Sequence, residues 1–152
     1  MKLEITVKGL EEVINRMQAF PSHLEKLLEK TMDAVLLIVW ENLSSYPPRP
    51  ENSTYRRTGT LGKTLGIDES GARTGKPDIY EVKKAGAFTI ARFGTRLEYA
   101  PYVIGDKDKE QAWMHQGRWW TLPEVAERAR DKITQAWQTL ADRMAKFVEG
   151  RD

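Results

Sequence analysis

The sequence predicts an α+β fold, a small antiparallel sheet packed against two long helices and one short helix. Three patterns carry that prediction. The chain opens on a two-residue alternation, its middle holds two strand-like runs joined at a glycine, and two long stretches of three-and-four spacing each follow a capping-box pair. The order strand, helix, helix, hairpin, helix places helices on one face of the sheet.

From Lys2 to Lys8, Leu3, Ile5 and Val7 alternate with Glu4, Thr6 and Lys8, and Gly9 ends the run, as in a half-buried strand. Leu10, Val13, Ile14 and Met17 then fall on one face of a short helix that Pro21 interrupts. Ser22 with Glu25 fits a capping box and starts a second helix carrying Leu24, Leu27, Leu28, Met32 and Val35 as its stripe. Ala34 to Trp40 is apolar all round, so every side of the helix there needs cover, from its own domain or from a neighbouring subunit. The β-branched Val35, Ile38 and Val39 leave a strand as the alternative. Tyr46-Pro47-Pro48-Arg49-Pro50 stops the helix, because proline has no N–H to donate and disfavours helical angles in the residue before it.

Residues 46–76 read as a mobile loop within a single domain spanning residues 1–152. From Arg49 to Lys76 this stretch is rich in Arg, Lys and Gly, with one short helix or turn around Thr60 to Leu65. Ile79 to Lys84 and Ala87 to Phe93 form a hairpin through Ala85-Gly86, and Tyr99 to Ile104 reads as a further extended segment before a charged loop from Gly105 to Glu110. Thr121-Leu122-Pro123-Glu124 is a second capping box with proline in the first turn, where a missing donor costs nothing. Val125, Ala129, Ile133, Ala136, Trp137, Leu140, Met144, Phe147 and Val148 continue it as one long helix from Leu122 to Val148.

Composition narrows the function classes. The 152 residues balance 24 Lys and Arg against 22 Asp and Glu, a net charge of +2. This lacks the concentrated basic field with which a dedicated nucleic-acid binder neutralises phosphates. Cysteine is absent, which removes thiolate nucleophiles and Cys-based metal sites. The longest apolar run, seven residues from Ala34 to Trp40, is far short of the roughly 18 a membrane span requires. Nothing at the N-terminus reads as a secretory signal or a lipidation motif, so the expectation is a protein that works where it is made or in an assembly formed there.

Catalytic and cofactor motifs are sparse, and the expectation is no enzyme and no cofactor. Gly71-Ala-Arg-Thr-Gly75-Lys76-Pro77 is one residue short of a phosphate-binding loop, with proline where a magnesium-ligating hydroxyl belongs. Asp106, Asp108, Glu110 and His115 are types that hold a hard cation. Lys107 and Lys109 interleave them, though, and no Ca²⁺-loop glycine follows, so a solvated charge run is the simpler reading. His23 reads as an exposed first-turn residue, and His115, between Trp113-Met114 and Gln116, as a packing or interface residue.

Aromatics are the richer signal. Tyr99, Tyr102, Trp113, Trp119 and Trp120 fall within 22 residues, interleaved with His115 and Arg118. Rings with arginine make contact surfaces because a rigid ring buries a large area at small entropic cost. The same rings also serve a domain's own core, or stack on single-stranded bases. Candidate interface residues are therefore Tyr99, Tyr102, Trp113, His115, Arg118, Trp119 and Trp120, with Arg56 and Arg57 of the basic loop.

One arrangement of segments resembles a known family. Val7-Lys8-Gly9-Leu10-Glu11-Glu12-Val13 after a strand, a long helix, Arg56-Arg57-Thr58-Gly59-Thr60-Leu61, a small sheet, Tyr99-Ala100-Pro101-Tyr102-Val103 and a C-terminal helix together resemble the gene-product-ten-type tail-component family of siphophages and prophages. Many members continue the tyrosine element with an acidic or aromatic residue and Gly-Thr, where this chain has Ile104-Gly105-Asp106. The resemblance implies a structural neck or tail-completion protein at the head–tail joint, found in the virion and in the host cytoplasm during assembly. It implies identical copies in a ring docked on head-connector and tail proteins, with no chemistry, no membrane, and no nucleic acid beyond the DNA passing through the channel. The rival expectations are a small nucleic-acid-binding module, for which pI 8.8 and Arg118 among the aromatics speak, and a metal-dependent hydrolase.

Overall fold

A computed structural model describes residues 2–6, 21–43, 51–52, 58–68, 70–86, 88–105, 109–116 and 119–148. The expected helix from Leu10 to Met17 and most of the 46–57 stretch lie outside these residues. The described chain is α+β, in the order β1 (Lys2–Thr6), α1 (Pro21–Leu43), α2 (Thr60–Thr64), β2 (Ile79–Ala85), β3 (Phe88–Gly94), α3 (Ala100–Ile104), a 3₁₀ turn (Trp113–His115) and α4 (Leu122–Val148).

The sheet is antiparallel throughout, with β3 in the centre and the order β1-β3-β2. Ala85 pairs with Phe88 across a two-residue loop, where Gly86 takes φ +63°, the positive angle that hairpin turns require. Register places Leu3, Phe93 and Tyr80 in one row and Ile5, Ala91 and Val82 in the next. Ala91 and Phe93 are fully buried, with Tyr80 and Val82 packed against them. On the opposite face the Arg92 guanidinium lies 3.0 Å from the Glu81 carboxylate, whose pKa falls below its ordinary value chiefly through that bond.

Helix α1 lies between the sheet and α4, packing on β2 and β3 on one side and on α4 on the other. This position accounts for the all-round apolar stretch. Val35, Leu36, Val39 and Trp40 are buried by two layers of the same chain, and Leu37 is half-buried against the core. The strand alternative there is overturned, because a single helix runs through all of Ala34 to Trp40. Among the described residues the helix runs from Pro21 to Leu43, with Ser22 and Glu25 both within it. Tyr80 ties the sheet to α1 by donating its hydroxyl to Asp33 Oδ1 at 2.7 Å, and burial together with that acceptor pushes the phenol pKa well up. Lys84 pairs with Glu25 farther along the same helix.

His23 is exposed, as its first-turn position suggested, but it also stacks on Phe147 in the last turn of α4, with ring centroids 4.2 Å apart. The two long helices therefore run antiparallel. Helix α4 matches its expected bounds, and its capping box is formed. The Thr121 N–H donates to Glu124 Oε2 at 2.7 Å, and the Glu124 N–H returns to Thr121 Oγ1 at 3.4 Å.

The segment after α2 joins the core more closely than its glycine content suggests. Leu61, Leu65 and Ile67 are buried, and Asp68 holds a tight turn by accepting from the Ser70 and Ala72 N–H groups. Those bonds, the Ser70 hydroxyl first, lower the Asp68 pKa. Gly66 takes φ +69°, and a Cβ there would stand 2.9 Å from Trp40 Cζ2. Only glycine fits both the angle and the contact. Arg73 returns over the Trp40 ring at 5.4 Å and pairs with Glu41 at 3.5 Å.

Candidate functional site: the aromatic loop

Tyr99 to Ile104 is not extended as expected. Ala100–Ile104 is a short helix with proline in its first turn. Ala100, Val103 and Ile104 are buried at helical spacing, a pattern too short to separate from a strand in sequence alone. Gly105 ends it at φ +82°, bonding back to the Pro101 carbonyl. Tyr99, at the cap, and Tyr102, three residues on, face out at 44% and 51% exposure.

The chain then folds back on this helix. The Ala112 N–H donates to the Tyr102 carbonyl at 2.8 Å, which brings the 3₁₀ turn, with Trp113 at its start, beside Tyr102. Gln111 holds the fold-back from inside, its Nε2 donating to Val103 O at 2.7 Å and to Trp119 O at 3.1 Å. The two donations from that one buried nitrogen bridge α3 to the entry of α4. A single glutamine before an aromatic run gives no sequence signal for such a role.

The five aromatics therefore divide. Trp113 is 80% exposed, and Met114, Tyr99 and Tyr102 of the same folded-back segment are exposed too, with the Lys109 ammonium 5.0 Å above the Tyr102 ring. Trp119 is 7% exposed and belongs to the buried core cluster, so its assignment as an interface residue is corrected to the domain core. Trp120 is half-buried beneath the Arg128 guanidinium at 4.3 Å, a cation–π contact within the chain. His115 is half-buried, its N–H bonded to Ala112 O and its carbonyl accepting from the Trp119 N–H. Arg56, Arg57 and Arg118 lie outside the described residues.

Asp106 and Asp108 also lie outside them, and among the described residues no group of three or more His, Cys, Asp or Glu is placed to hold a metal ion. No helix among them is long and apolar enough to cross a membrane. An open groove of about 390 Å³ runs beside the outer sheet face, lined by Asp78, Ile79, Tyr80, Glu81, Arg92 and Arg96. Glu81 takes Arg92 there, and Asp78 Oδ2 accepts from Thr95 Oγ1 and the Arg96 backbone N–H at 3.4 and 3.5 Å. No family model matches the chain, and neither a curated protein nor a solved structure does.

Proposed function

We propose that this protein is a structural subunit of a phage or prophage virion at the head–tail joint, a neck or tail-completion protein that acts by forming a ring of identical copies and docking connector and tail proteins. Its place of action is the virion, and the host cytoplasm during assembly. The observation that carries the reading is the exposure of Tyr99, Tyr102, Trp113 and Met114. Large rings held outward on a folded-back loop, beside a core that already contains Trp119, are the anchor type that protein–protein contacts use. The family resemblance supplies the kind of assembly, and the buried Gln111 amide supports the geometry by holding the loop in place before any partner arrives.

The test is absolute mass in solution by light scattering behind a sizing column, across a concentration series, for the parent chain and for Trp113→Ala. The expected outcome is a closed species of several copies that Trp113→Ala shifts toward monomer at unchanged thermal stability. A chain that stays monomeric alone and with connector and tail proteins overturns the reading.

A further inference from the structure

The chain leaves α3 and enters α4 at one place. Gly105, which ends α3, takes φ +82°, and a Cβ there would stand 3.3 Å from Thr121 Cγ2 and 3.5 Å from Gln111 Cβ. Thr121 is the residue before α4. Between these ends, residues 109–116 hold Gln111 as their one buried residue. Ala112 and His115 are half-buried, and Lys109, Glu110, Trp113, Met114 and Gln116 are exposed. Apolar burial therefore contributes little to holding this segment, and the position of its exposed rings depends on polar ties.

Those ties meet at Gln111. Its Nε2 donates to Val103 O at 2.7 Å and to Trp119 O at 3.1 Å, and the N–H of the next residue, Ala112, donates to Tyr102 O at 2.8 Å. The two acceptors of the amide belong to different parts of the fold, one in α3 and one at the entry to α4. A side chain that lets go releases the segment from both together, so the movement has two states. Opening trades amide–carbonyl bonds for amide–water bonds, a nearly balanced exchange. Segments with little buried apolar surface open well below the cost of global unfolding.

We infer that Gln111 is a latch on the docking segment. Closed, it holds the turn that carries Trp113 against α3, beside Tyr102, in the arrangement a partner meets. Open, it frees that turn from α3, and the two rings part. Only the closed state docks, so the latch sets the fraction of subunits competent to assemble, and affinity scales with that fraction. The inference rests on the docking role given above to the exposed rings and names what regulates them. Gln111 is a positioning residue that acts through Trp113.

Gln111→Glu tests the latch, because a carboxylate faces the two carbonyl oxygens with no proton to give. Native-state hydrogen exchange reads the opening at the Ala112 N–H, with the amides of β3 as the global reference. In the parent the Ala112 amide is expected to exchange faster than those of β3. In Gln111→Glu it is expected to exchange faster again by about tenfold, the order of one lost hydrogen bond, with β3 unchanged. Light scattering across a concentration series reads the docking. Gln111→Glu is expected to shift the assembly toward monomer, and its combination with Trp113→Ala to assemble no worse than Trp113→Ala alone, since residues that act as one unit are not additive. Should Gln111→Glu fail to fold, Gln111→Asn, which keeps the donor on a shorter stem, gives the same comparison. An Ala112 amide that exchanges only together with β3 overturns the latch and leaves the docking reading standing. So does an opened segment with unchanged assembly, or with losses that add to those of Trp113→Ala. A parent chain that never associates, alone or with connector and tail proteins, overturns the docking reading and the latch with it.

Discussion

Trp113 and Trp119 lie six residues apart in one loop, yet one is 80% exposed and the other 7%. The difference follows from where the chain is tied. Gln111 and Ala112 anchor the loop to α3 just before Trp113, so the 3₁₀ turn carries that ring outward. Trp119 comes where the chain re-enters the core to start α4, and its carbonyl is held by the Gln111 amide. Identical side chains in one local composition thus serve different ends. A tryptophan's role is set by the backbone around it, and a cluster of rings in sequence is not a cluster in space.

The largest expected effect tests that division. Trp119→Ala should cost about 3–5 kcal/mol, the range for emptying a large buried aromatic site, whereas Trp113→Ala should stay within about 0.5 kcal/mol, as exposed positions do. Denaturant melts of both variants measure this, and equal costs would break the comparison. The same contrast between a filled and an open site is available at two glycines of positive φ. A Cβ at Gly66 meets Trp40, while one at Gly86 meets nothing within 4 Å. Gly66→Ala should therefore be the more destabilising by about 1–3 kcal/mol, the usual range for overpacking.

A smaller effect belongs to the residue that turns the loop into the helix. Thr121→Ala removes the cap from α4 and should lower stability by about 1 kcal/mol, with Glu124→Gln retaining part of it. Thermal melts of the pair give the order. The smallest effect is one of pH at the outer sheet face. Glu81 has its pKa lowered from 4.5, first by Arg92. Its contribution is therefore present above the unfolded value and lost as pH falls through the folded one. Stability measured below pH 4.5 should fall less steeply in Glu81→Gln than in the parent.

Much of the architecture was legible because it is written in local pattern. The α4 bounds, the hairpin and the short α2 helix rest on capping residues, period and turn glycines that act within a few residues. The apolar stretch from Ala34 to Trp40 announced a need for cover, but not that the sheet and α4 would both provide it. Tyr99 to Ile104 reads as extended in sequence because the five-residue helix it contains, Ala100–Ile104, is too short for period to arbitrate. The candidate site was half legible. The ring types were visible, while Gln111, which positions them, was not.

By itself the sequence determined the α+β class, the antiparallel hairpin, the amphipathic long helix and the absence of cysteine chemistry, all consequences of residue type and spacing along the chain. Only the tertiary structure decided that α1 is the middle layer, that Trp119 faces in and Trp113 out, and that β3 is the central strand of the sheet. Those outcomes depend on contacts between residues far apart in sequence, such as Tyr80 with Asp33 and His23 with Phe147. A pattern read along the chain carries no information about which distant partner completes it.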